Sequence, residues 1–150
     1  MIASDNQTVE SNTSSVNDGT VEVEKPNDDP KPQENSPINI DFDGLLELNE
    51  DIVGWLYCPK TPINYPVVKG EDNDYYLNHN FYGKKERHGV PFMDFRNDFR
   101  HLNANTILHG HNMKSDNQMF SELENYYKGS NALSYYRQHP IITFDTVYEK

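Results

Sequence analysis

Two histidines one residue apart, His109 and His111 with Gly110 between them, close the apolar run Thr106-Ile107-Leu108, and their types and spacing suit chemistry. In an extended strand, residues two apart face the same side, so both imidazoles are expected to reach one cleft. Three readings fit the pair. Two imidazoles on one face begin a zinc site, but zinc takes three or four ligands, and no third His, Cys or carboxylate sits at a telling spacing. A structural histidine, satisfied by its packed neighbours, is the second. The third is a general acid/base, because the ordinary imidazole pKa of about 6.5 lies near working pH. Spacing alone does not choose among them.

The chain has one cysteine, Cys58, which excludes an internal disulfide framework and a multi-cysteine zinc site. It sits in Trp55-Leu56-Tyr57-Cys58-Pro59, and a free cysteine in such an apolar strand is expected to be buried rather than reactive. Trp55 is expected to anchor the core, and Tyr75, Tyr76, Tyr126 and Tyr127 to be packing groups. Gly110 reads as a backbone position that needs a close approach or an unusual angle.

The elements that must position these residues begin late. All 18 aromatic residues (1 Trp, 10 Tyr and 7 Phe) lie from Phe42 onward, so the first 40 positions are poor core material. Those positions hold 8 acidic and 2 basic residues, a local charge of −6 out of the chain's −11. Residues 1–40 are therefore expected to be a disordered acidic tether, and residues 41–150 the folded part. A body still carrying −5 argues against nucleic acid or anionic lipid as the main partner, because both need clustered Lys and Arg. Residues 1–40 also contain no apolar run long enough for a signal peptide or a membrane span.

Asp41 or Asp43 is placed to cap a short helix over Leu45, Leu46 and Leu48. Residues 52–58 are rich in β-branched and aromatic types and read as a strand, which Pro59 and Pro62 turn back. Strands are expected over 65–68, 90–95, 105–110 and 141–147, with a helical turn over 72–77. Ser115 and Gln118 stand at capping-box spacing before a stripe of Met119, Phe120, Leu123 and Tyr127, which predicts a helix over 115–128; a shorter one is expected over 133–137. The pattern is a mainly β domain with inserted helices, and its strand series looks unfinished.

The run Asn105-Thr106-Ile107-Leu108-His109-Gly110-His111-Asn112-Met113, with Met119-Phe120 and Leu123 behind it, resembles the segment of class B sortases that contains their histidine. Three blocks upstream match in family order: Asn49 to Leu56, Thr61 to Val68, and Asp72 to His79; Gly89 to Asn97 is similar to the strand that follows. The resemblance implies a sortase-like β-barrel, incomplete at its C-terminal end and preceded by a short helix, and a cysteine transpeptidase activity. A thiolate attacks the Thr carbonyl of a sorting-signal peptide on a secreted surface protein, and an amine of the peptidoglycan cross-bridge resolves the acyl-enzyme.

In that scheme His111 corresponds to the family's proton-carrying histidine, and Asn73 and Leu77 to positions that line the peptide groove. The scheme needs no cofactor and no metal. It places the family's nucleophilic cysteine and an oxyanion-stabilising arginine beyond Lys150, so the 150-residue chain is expected to be a truncated, inactive form. The alternative is a non-catalytic surface module that binds peptide or cell wall. The family's place is the extracellular face of the cell membrane, with no membrane anchor expected in this chain.

Overall fold

The computed structural model describes residues 38–102 and 104–148. The acidic tether expected over 1–40 lies outside the described residues except for its last three positions. Helix α1 spans Phe42–Leu48 and starts at Asp41, whose side chain accepts from the Gly44 N–H at 3.1 Å. Phe42 and Leu45 pack inward, whereas Leu46 and Leu48 are exposed. Among the described residues the strands are β1 (Ile52–Tyr57), β2 (Asn64–Val68), β3 (Phe92–Met93), β4 (Leu108–His109), β5 (Asn112–Met113), β6 (Gln118–Met119) and β7 (Thr143–Thr146). Helix α2, Ala132–Gln138, precedes β7.

Five strands form one curled sheet in the order β4-β3-β2-β1-β7. Its pairs are antiparallel except β2 with β3. β5 and β6 form a separate two-stranded ribbon.

Each of the three central strands sends neighbouring side chains to opposite faces. Ile52, Val68 and Phe92 enter one buried cluster, and Val53, Val67 and Met93 enter the other. Sheets covered on both faces show such continuous apolar pairs instead of clean alternation. An irregular register between Ile52 and Gly54 accompanies the change of face. Helix α1 and the turn near Tyr76 cover the first face; Phe120 and Leu123 cover the second.

Three expectations are corrected. The strands expected over 90–95 and 105–110 shrink to two residues each, because the chain on either side bonds through turns and side chains. Trp55 is only half-buried and donates its indole N–H to Asn64 at 2.7 Å, beside the cores and not in either. The helix expected over 115–128 is instead strand β6 followed by a 3-10 helix, Phe120–Tyr126. Asn117 and Met119 adopt φ of 53° and 55°, which no α-helix accommodates, and the chain turns there. A 3-10 helix repeats every three residues, so Phe120 and Leu123 are followed inward by Tyr126 while Tyr127 is 67 % exposed.

β1 is paired on both sides, and Gly54 lies opposite Thr146 of β7. A Cβ there would press on the Asp145 carbonyl and stand 2.6 Å from the Phe144 ring. Gly54→Ala is expected to lower the unfolding free energy by about 1–3 kcal/mol, the range for overpacking a filled site, as read by urea denaturation.

Candidate functional site

The site is built on the segment 72–77. Asp72 starts it, its carboxylate accepting from the N–H groups of Asp74 and Tyr75 at 2.9 Å each, and those bonds hold the carboxyl below its usual range. The 3-10 turn Tyr75–Leu77 follows. Tyr76 is buried and donates its hydroxyl to Asp51 at 2.6 Å, which anchors the turn on the start of β1. Burial, then the Asp51 carboxylate, pushes that phenol upward. The last carbonyls of a helical turn have no partner within it. One of them, on Leu77, accepts from His111 Nε2 at 2.6 Å.

A carbonyl cannot donate, so Nε2 carries the proton in the neutral ring and Nδ1 is left as the basic nitrogen. Among the described residues no group hydrogen-bonds Nδ1. His111 is half-buried, and its own carbonyl accepts from Phe120 N–H at 2.8 Å. The Phe120 ring lies against Gly110, where a Cβ would stand 2.8 Å from it, so the close approach expected of this glycine is met. Gly89, at φ 62°, lies against the Tyr76 and Leu77 carbonyls, where a Cβ would collide with both.

The ribbon after His111 is tied down through Glu124. Its carboxylate accepts from Asn112 Nδ2 at 2.5 Å, Lys114 Nζ at 2.9 Å and Lys128 Nζ at 2.6 Å. Lys128 first, then Lys114 and Asn112, hold this carboxyl down at about 2. At the ribbon's turn, Asp116 meets His88 at 2.7 Å and Arg87 at 3.4 Å.

The expected pairing of His109 with His111 on one strand face is not formed, because β4 ends at His109 and the chain leaves the sheet at Gly110. His109 stacks on Phe92 and donates through Nε2 to Asp94 at 3.1 Å. Asp94 is 1 % exposed and accepts in addition from Arg96 N, Nε and Nη2 at 3.0, 2.8 and 2.8 Å, and from Asn73 Nδ2 at 2.9 Å. Arg96 first, then His109, holds its carboxyl far below the usual carboxylate range. Asn73 also accepts from Phe95 N–H at 3.1 Å, so both ends of its amide are engaged.

Of the residues singled out from sequence, the structure joins His111 to Leu77 directly, and it places Asn73 on Asp94. Asp94 was not foreseen, since a charged residue behind a short apolar strand ordinarily reads as solvated. Its signal was Arg96, two residues on. Cys58 is fully buried in the second cluster, with its sulfur 3.5 Å from the Tyr126 hydroxyl. No helix among the described residues is long and apolar enough to cross a membrane.

No family profile matches the chain. Individual proteins do. Sortase B of Staphylococcus aureus (strain NCTC 8325 / PS 47) is 48 % identical over 109 residues, covering 73 % of this chain and 43 % of that protein. Sortase B of Listeria monocytogenes serovar 1/2a (strain ATCC BAA-679 / EGD-e) is 46 % identical over 92 residues, covering 61 % of this chain and 37 % of the relative. Among solved structures, a Staphylococcus aureus sortase B–substrate complex superposes with a TM-score of 0.66 at 48 % identity, over 71 % of this chain and 47 % of that one. The chain thus spans less than half the length of these relatives.

The Glu124 anchor gives a pH test. Its folded carboxyl is depressed from the ordinary 4.5 to about 2, so its contribution is full above about pH 4.5 and is lost as pH falls toward about 2. Glu124→Gln is expected to flatten the dependence of unfolding free energy on pH in that window and leave it unchanged above pH 5, as read by urea unfolding across a pH series.

Proposed function

Because this chain belongs to the class B sortase family, we propose that it carries the acid/base half of a cysteine transpeptidase that acts on a sorting-signal peptide. The observation that supports this reading is the His111 ring, held through Nε2–H on the Leu77 carbonyl with Nδ1 as its basic nitrogen. Such a nitrogen can give up a proton in one step of the cycle and take one back in the next.

A cysteine thiolate attacks the Thr carbonyl carbon of the peptide. The C–S bond forms, the scissile C–N bond breaks, and the leaving amine takes its proton from protonated His111. An incoming amine of the peptidoglycan cross-bridge then attacks the thioester, giving its proton to His111 as the new C–N bond forms and C–S breaks. The protein with which this chain shares 48 % identity has been solved as a substrate complex, and a sortase B has been solved with triglycine, which are the two kinds of partner this scheme needs. The thiol of this cycle is not Cys58, which is fully buried against Tyr126. Leu77 and Asn73 border the peptide: Leu77 supplies the carbonyl under the ring, and Asn73 holds the backbone before it. The extracellular face of the cell membrane is where such chemistry meets its partners.

The polypeptide of residues 1–150 is expected to leave a fluorogenic sorting-signal peptide uncleaved. The same polypeptide, extended by the C-terminal segment of a class B relative, is expected to cleave it, and His111→Ala in the extended form to lower kcat/KM by about 10²–10⁴-fold. Cleavage by residues 1–150 alone, or an extended form indifferent to His111→Ala, would overturn the proposal.

A further inference from the structure

Three contacts and two short stretches of chain form a closed circuit around the histidine site. Asp94 accepts from His109, and His111 lies two residues further along. His111 donates to the carbonyl of Leu77, and four residues before Leu77 stands Asn73, which donates back to Asp94. One carboxylate therefore holds both the segment that carries the imidazole and the segment that carries its acceptor. We propose that Asp94 is the positioning residue of the site, fixing which nitrogen of His111 carries the proton by setting the Leu77 carbonyl and the His111 backbone at hydrogen-bonding separation.

The side chains meeting at Asp94 suit that task. The Arg96 guanidinium takes one oxygen through Nε and the other through Nη2, which fixes the plane of the carboxylate. Oδ2, so oriented, accepts from both Asn73 and His109. Neither arm can shift without stretching a charge-assisted bond to a carboxylate that is itself buried. Asp94 acts only through other residues, and its function in this proposal rests on the reading of His111 as the proton carrier.

The test is tautomer-resolved NMR of the 150-residue chain labelled with ¹⁵N in its histidine rings, since the two ring nitrogens report directly which one is protonated. The native chain is expected to show His111 as the Nε2–H tautomer. Asp94→Asn is expected to lower the ratio of Nε2–H to Nδ1–H by about three- to tenfold, the range that one net hydrogen bond supports. Asn73→Ala and His109→Ala each remove one arm while leaving the Asp94–Arg96 pair, so they carry the test if Asp94→Asn does not fold. His109→Gln, whose amide can still donate to Asp94, is expected to restore the ratio. Ile63→Val, a core change at a fully buried position, is the control for general loosening and is expected to leave the ratio unmoved.

An unchanged ratio in folded single-arm variants, or an equal shift in Ile63→Val, overturns the proposal. The readout is a property of the ring at rest and needs neither thiol nor peptide. A failure of the transfer chemistry with an intact tautomer response therefore counts against the proposed function alone.

Discussion

A carboxylate withdrawn from water must find partners, and the way Asp94 finds them organises the end of the sheet where the histidines lie. The residue is 1 % exposed, and its oxygens accept from Arg96, Asn73 and His109. Those donors come from its own strand end, from the loop before the Tyr75–Leu77 turn and from β4, so desolvating one charge obliges three pieces of chain to converge. Removing a donor leaves a carboxylate that is itself buried short of a partner, which is costlier than losing an exposed pair. The imidazole of His111 is placed as a consequence, through the short chain that follows His109 and the Leu77 carbonyl that follows Asn73.

Support from behind is apolar and comes from a sheet buried on both faces. Ile52, Val68 and Phe92 lie on one side and Val53, Val67 and Met93 on the other, so β1, β2 and β3 cannot slip without moving six buried side chains to the wrong face. Met93 is the residue before Asp94, and Phe92 carries the His109 ring. The packing of β3 thereby sets the carboxylate's position along the strand, and hydrogen bonding sets its orientation. Glu124 does the corresponding work beyond His111, joining the ribbon to the 3-10 helix through Asn112 and Lys114.

Local chemistry made part of this readable from sequence. Asp41 caps α1, the β-branched and aromatic run becomes β1, and the chain turns at Pro59 and Pro62, because each outcome is decided within a few residues. His111 stood out by its spacing from His109, but its role and Leu77 emerged only through resemblance, since nothing in the spacing predicts that a ring at 111 meets a carbonyl at 77. The segment 115–128 misled for a physical reason: Ser115, Gln118 and the stripe behind them satisfy the helical pattern, but positive φ at Asn117 and Met119 turns the chain into a ribbon first. A period of three then replaces 3.6, and Tyr126 takes the inward place expected of Tyr127. Asp94 was hidden for the opposite reason. Its burial depends on partners 21 residues before and 15 residues after it, and no local rule reaches that far.

The choice of acceptor under His111 has its own logic. His88 and His109 bond carboxylates, an arrangement that suits a clamp. A proton carrier, the role proposed for His111, needs something else: its ring must be oriented, yet free to exist in both charge states. A backbone carbonyl supplies the first without forcing the second, because it fixes Nε2–H while bringing no net charge. Such an acceptor is only as well placed as the backbone that bears it. Leu77 ends a 3-10 turn anchored by buried Tyr76, with Gly89 leaving the space a Cβ would take from its carbonyl. The negative charge of Asp94 lies in the neighbourhood but is engaged by Arg96, Asn73 and His109. Charge therefore fixes the frame and a neutral group fixes the imidazole.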